Sequence, residues 1–218
     1  ATERLARRAL QRFKKPAIIL CTTSLTQAGD FIDGEEIVAS LEKVTGPGVS
    51  LFGGMAGDDA TFSGTYVFTC DHSGDKALAA LILDEEKISI AGMAISGWKP
   101  LGISRTVTRS EGRNIYTIDD QPAPEMYLRY LGRELNPGED KYTVYQSIGV
   151  YYPFQVERPS RVPAMVTPMM INEEQTALVC EAPIPEGNQI RFSMPPDFDI
   201  VETVLEKAEE VKRENMDS

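Results

Sequence analysis

No run of the roughly 18 uninterrupted apolar residues that a membrane-crossing helix needs occurs in the chain, and the basic residues near its start are not followed by the apolar core of a secretory signal. Histidine is nearly missing as well: His72 is the one example in 218 residues. That excludes zinc centres built from several histidines, and any Ser-His-Asp arrangement would depend on a single residue of the turn Asp71-His72-Ser73-Gly74. His72 is expected at the surface; buried beside a cavity it would instead suit axial ligation of haem. Cysteines are three and widely separated, Cys21, Cys70 and Cys180, with no Cys-x-x-Cys pair. Neither a disulfide framework nor a zinc site follows, and a reducing, cytoplasmic setting is expected. Each lies in an apolar run, where a thiol acts as a small buried hydrophobe. Positive charge is in deficit, 22 Lys and Arg against 33 Asp and Glu for a formal net charge of −11. No basic patch interleaved with aromatics offsets it, so nucleic acid is not an expected partner.

What is present is the composition of an ordinary globular chain, 42% hydrophobic and 25% charged, enough for one or two modest cores. Arg4, Arg7, Arg8, Arg12, Lys14 and Lys15 lie opposite an apolar stripe of Leu5, Ala9, Leu10 and Phe13. This is the pattern of an amphipathic surface helix, with contact to a membrane or acidic partner as the alternative. After Pro16, Ala17 to Cys21 reads as a buried strand. Asp33, with Glu36 three residues on, opens a helix whose Ile37, Val38, Leu41 and Val44 recur at helical spacing until Gly46-Pro47-Gly48. Val49 to Phe52 follows as a second strand, so the order predicts a βαβ unit with a parallel pair.

Further strands are expected over Thr65 to Cys70, Lys76 to Leu83 and Lys87 to Ile95, then a hairpin from Ser104 to Arg109 and Asn114 to Asp119 about Gly112. Pro122 and Pro124 introduce a helix with Met126, Tyr127, Tyr130 and Leu131, a face that an assembly module would use as an oligomer interface. A Gly- and Pro-rich segment from Asn136 to Pro153 precedes strands near Ala164 to Val166, Thr176 to Cys180 and Gln189 to Ser193. A terminal helix from near Pro196 sets Ile200, Val201, Val204, Leu205, Ala208 and Val211 on one face, to cover the core or to signal to a partner. The class is α/β (mixed α+β), two packed subdomains with mixed parallel and antiparallel sheets and flanking helices, divided near residues 97 to 103.

The stretch with chemical content is Gly53-Gly54-Met55-Ala56-Gly57-Asp58-Asp59, at the carboxyl end of the second strand. Bare backbone tolerates positive φ and exposes N–H groups that can hold an anion. Yet it matches neither G-x-G-x-x-G nor a P-loop, and Asp58 and Asp59 would repel a phosphate. Two carboxylates suit an ammonium group or a divalent cation; the plainer alternative is a tight turn in which they cap nearby N–H groups. Trp98, the one tryptophan, sits in Gly97-Trp98-Lys99-Pro100-Leu101-Gly102, placed to pack over the subdomain junction or to wall a pocket. No catalytic residue and no cofactor is assigned.

Gly53-Gly54-Met55-Ala56-Gly57-Asp58-Asp59 followed by Phe62 and Thr65-Tyr66-Val67-Phe68 resembles the GG-x-AGDD...F...T-x-VF signature of the FIST domain, a prokaryotic sensory domain. Gly97-Trp98-Lys99-Pro100-Leu101-Gly102, then Val107-Thr108, Asp119, Pro122-Ala123, Tyr127, Tyr130 and Leu131-Gly132, resembles its GW-x-P-x-G...VT...LDG-x-PA...Y...YLG segment. Tyr152-Pro153 and Pro185-Glu186-Gly187 also fit, so the likeness spans residues 16 to 195. Asp120 and Gln121 depart from it by replacing the usual turn glycine, and Pro124 stands where an aliphatic residue is usual. Against the family pattern much of the N-terminal segment and the final stretch are missing, so the central part of a longer domain, or an abbreviated member, is expected.

The resemblance implies a module sensing small molecules such as amino acids, working with kinases, chemotaxis receptors or cyclic-dinucleotide enzymes; some members bind haem. It also implies that residues 1–96 are the remainder of an N-terminal subdomain and 97–218 the C-terminal one. The expected site is Gly53, Gly54, Gly57, Asp58, Asp59 and Trp98, between the subdomains. There Asp58 or Asp59 would pair with an amino group and the N–H groups of Gly54 or Gly57 with a carboxylate. The alternatives are a metal-dependent hydrolase using Asp58 and Asp59, a haem sensor using His72, and a homo-oligomeric assembly module.

Overall fold

Alternation decides the first core. Ile18 and Leu20 are buried on one side of strand β1 (Pro16–Thr22), while Cys21 on the other side is exposed. The computed structural model describes residues 1–59, 61–159, 161–197 and 199–216. It divides into two compact units, one built on Ala1–Met93 and one on Ala94–Glu210.

In the first unit the order is α1 (Thr2–Arg12), β1, α2 (Gly34–Thr45), β2 (Leu51–Met55), β3 (Val67–Phe68), β4 (Ser73–Gly74) and β5 (Leu78–Asp84). β1 is central, parallel to β2 and antiparallel to β5, so β1-α2-β2 is the βαβ unit that the hydrophobic spacing predicts. Asp33 caps α2 by accepting hydrogen bonds from the N–H groups of Glu35 and Glu36, and Gly46 ends the helix with φ of 77°. Ala6 and Ala9 of α1 and Leu41 of α2 pack on Ile18 and Leu20. Small residues let α1 approach closely, and the apolar stripe is therefore turned from the one expected: Ala6 is buried and Leu10 is exposed.

Other expectations for this unit fail for identifiable reasons. Lys87 to Ile95 forms no strand; Lys87 and Ile88 donate back to the Asp84 carbonyl in a turn, and Phe52 packs against Gly92. An alternating pattern without a partner strand is not enough. The strand expected over Thr65 to Cys70 shortens to two residues, with Phe68 77% exposed. Cys21 and Cys70 are exposed rather than buried, Cys21 because it faces away from the helices and Cys70 because it sits in the bend before β4; only Cys180 is interior.

The second unit holds β6 (Lys99–Glu111), β7 (Asn114–Ile118), β8 (Gln121–Pro122), α3 (Ala123–Tyr130), α4 (Lys141–Gly149), β9 (Phe154–Arg158), β10 (Arg161–Val166), β11 (Pro168–Ile171), β12 (Leu178–Cys180), β13 (Gln189–Met194) and most of α5 (Ile200–Met216). Its strands run β10-β9-β13-β6-β7-β12-β11, antiparallel throughout, with β8 paired to β7. Together with the parallel pair of the first unit, this makes a mixed α+β class.

Lys99 to Gly102 belongs to β6, so this strand begins well ahead of the hairpin strand expected from Ser104. Helix α4 forms inside the segment expected to be irregular, capped by Asp140, which accepts from Thr143 N–H. Met126 and Tyr127 of α3 are buried in the core, Tyr127 against Tyr145, Phe154 and Phe192, which removes this face as an oligomer interface. On α5, Val201, Val204 and Leu205 are exposed, Leu205 by 60%, so these residues do not cover the core.

Candidate functional site at the carboxyl ends of β1 and β2

Parallel strands that end side by side leave a crevice beyond their carboxyl ends, where ligands of α/β sheets bind. Here the chain leaving β1 and the chain leaving β2 are stitched together by a main-chain hydrogen bond and by hydroxyl groups. Ala56 N–H donates to the Thr22 carbonyl at 2.7 Å, and Ser24 Oγ donates to the Ala56 carbonyl at 2.6 Å. Thr65, buried, accepts from the N–H groups of Ser24 and Leu25 at 2.9 and 3.0 Å and donates to the Leu25 carbonyl at 3.0 Å. Thr23 exchanges hydrogen bonds with Ala77 ahead of β5.

The glycines play different roles. Gly53 lies within β2 at φ of 140°, and a Cβ there would collide with the Leu20 carbonyl oxygen. Strand pairing therefore demands this glycine, whatever the ligand. Gly54 and Gly57 are exposed, with open space where a side chain would stand. Beside them, Asp58 Oδ1 accepts from Phe62 N–H at 3.0 Å, and Asp59 Oδ1 accepts from Thr61 N–H at 3.2 Å and from Thr61 Oγ1 at 2.6 Å. The Thr61 hydroxyl and then its N–H hold the Asp59 carboxyl below the usual carboxylate range. Both aspartates thus shape their own loop through one oxygen each.

The start of α2 closes the same end of the unit. A Cβ on Gly34 would sit 2.8 Å from Met55 Sδ, so the Met55 side chain lies over the helix N-terminus. With Asp33 already accepting from that turn and Glu35 and Glu36 adding negative charge, the helix end is not an anion site. The crown offers a cation or ammonium group an acidic rim beside bare backbone. Among the described residues no group of three His, Cys, Asp or Glu side chains is placed to share a metal ion, and His72 is exposed in the turn before β4.

Trp98 belongs to the second unit. Its Nε1 donates to the Tyr151 carbonyl at 2.8 Å, and its own carbonyl accepts from Gln155 Nε2 at 3.0 Å, which ties the start of β6 to the chain entering β9. Gly97 before it has φ of 73°, and a Cβ there would meet Ile200 Cδ1 and Pro196.

Ser24 has no place in the expected site, and Thr65 enters the sequence reading only as a motif and strand residue, without its role as a stitch. The signal for Ser24 is the Thr22-Thr23-Ser24 cluster directly after an apolar strand, a place where hydroxyls satisfy backbone groups that lose their ladder partners.

No curated protein and no solved structure matches the chain. A model of the FIST N domain matches residues 1–121, from α1 through the β6–β7 hairpin and across the whole glycine and aspartate crown. The chain belongs to the FIST N domain family, whose domains are sensory modules of signal transduction.

Proposed function

We propose that the chain is the ligand-sensing module of a cytoplasmic signalling protein and that the crown of its first unit takes a small polar molecule bearing an amino group, an amino acid being the simplest fit. The observation that carries this reading is the exposed backbone of Gly54 and Gly57 set beside Asp58 and Asp59 at the carboxyl ends of a parallel pair. An ammonium would meet the outer oxygens of the two carboxylates, and the N–H of Gly57 would hold a carboxylate, while Gly54, paired with Cys21 in the β1–β2 ladder, turns its own N–H to β1. Gly53 contributes by keeping β2 in register, and Trp98 is a further candidate contact within its own unit. Residues 1–96 and 97–218 correspond, on this reading, to the two FIST subdomains. The output goes to a kinase, a chemotaxis receptor or a cyclic-dinucleotide enzyme.

Thermal melting with amino acids, nucleotides, divalent metals and haem tests the proposal. A ligand at 100 times its Kd stabilises by about 2.7 kcal/mol, so an amino acid should raise Tm visibly. Asp58→Asn and Asp59→Asn retain an oxygen for the loop hydrogen bonds while removing the charge. They should abolish the shift while lowering the unliganded Tm only slightly, Asp59 being exposed. A shift confined to metals with turnover, or a Soret band that depends on His72, would overturn the reading.

A further inference from the structure

The outer face of the second unit's sheet carries a hollow that the crown does not explain. Across β7, β12 and β11 the row Ile115, Leu178 and Ile171 is buried, so the alternate row Asn114, Val179 and Met170 points to the opposite face. Tyr116 lies on that face, two residues from Asn114. Helix α4 packs against β11 and brings Tyr142 over its edge, where the Tyr142 hydroxyl donates to Met170 Sδ at 3.2 Å. Together with Glu173 and Glu174 these groups enclose a hollow of about 410 Å³, open to solvent.

Its chemistry is specific. Two phenol rings, a thioether and two exposed carboxylates line it. One of the carboxylates is positioned: Asn172 Oδ1 accepts from the N–H groups of Thr176 and Ala177 at 2.7 and 2.9 Å, pinning the loop, and Asn172 Nδ2 donates to Glu174 Oε2 at 2.8 Å. Anions are repelled by Glu173 and Glu174. A purely apolar ligand would gain nothing from the two exposed carboxylates. A metal ion would find only two carboxylates, short of three metal-ligating side chains. A cation with an apolar skin satisfies every wall, because aromatic faces attract it and carboxylates neutralise it. The Tyr116 ring already holds one such charge: the Arg109 guanidinium lies 4.6 Å from its centroid.

We propose that this hollow binds a small organic cation, an alkyl- or quaternary ammonium, with Tyr116, Tyr142 and Met170 as walls and Glu173 and Glu174 as counter-charges. The site lies wholly in the second unit and stands independently of the crown. Tetramethylammonium chloride titrated into the ¹⁵N-labelled chain, against sodium chloride at equal ionic strength, should give saturable amide shifts at Tyr116 and residues 172–177. Tyr142→Leu should weaken binding about three- to tenfold; Tyr142 is 44% exposed, so the fold survives its loss. Glu173→Gln with Glu174→Gln should weaken it further, and Arg109→Gln, by removing a competing like charge, should tighten it. The Asp58→Asn, Asp59→Asn variant should bind as the parent does. Shifts that do not saturate, that sodium reproduces, that ignore Tyr142→Leu, or that vanish with the two aspartates overturn the proposal.

Discussion

Thr65 shows how much one hydroxyl can hold. It serves two N–H groups and one carbonyl of a loop 40 residues away in sequence, all of them buried or partly so. Thr65→Val keeps the shape and leaves those donors without a partner, so a loss on the order of 3 kcal/mol is expected, read as a lower urea midpoint at unchanged slope. Asp119 makes a second test. It receives Arg105 Nη1 at 2.8 Å and Thr106 N–H at 2.8 Å, and the Arg105 contact holds its carboxyl below the usual range. A lowered folded value means that the contribution is present above the unfolded value of about 3.9 and is lost as pH falls through the folded one. Asp119→Asn should therefore lower stability at pH 7 and flatten the acid limb of a Tm-against-pH curve. The glycine and aspartate motif was legible at this scale, but its physics was divided. Gly53 exists for the Leu20 carbonyl and Asp58 and Asp59 brace their loop, distinctions that depend on which chain crosses nearby.

Elements were legible where local pattern and tertiary demand agree. β1 and α2 came directly from an apolar run and a capped helix, because each signal is contained within the element, whereas β2 starts two residues after the expected Val49 and runs on through Gly53 and Gly54 to Met55, which only pairing with β1 decides. The cap is open to measurement: Asp33→Ala removes the acceptor for two N–H groups of the first turn and should destabilise by about 1 kcal/mol in chemical denaturation. Helix α4 was hidden between Gly138 and Pro153, since breakers on both sides read as a loop and its nine residues span little more than two turns. Strands β9 and β11 were missed for a related reason: β9 follows Pro153 and β11 begins at Pro168, and edge position within the sheet makes such prolines tolerable at β11. The ring of Tyr142 on α4 and the row on β11 meet only in three dimensions, which is why the hollow had no sequence signal at all.

At the scale of the molecule the two units differ in what holds them. Among the described residues the first core gathers five buried apolar side chains, three of them small or medium aliphatics from β1 and α2, against eighteen in the second, with Tyr127, Phe154 and Phe192 packed edge to face or tilted at its centre. Less buried apolar surface gives less stabilisation per ordered residue. Native-state hydrogen exchange should accordingly release the amides of Ile18 to Cys21 at lower denaturant than those of β6, β7 and β13. The location of Trp98 has a practical corollary. An optical melt followed by indole emission reports the half with the larger core and is blind to the other. Far-ultraviolet dichroism should begin to decline several degrees before the emission moves, and coincident curves would show that both halves come apart as one.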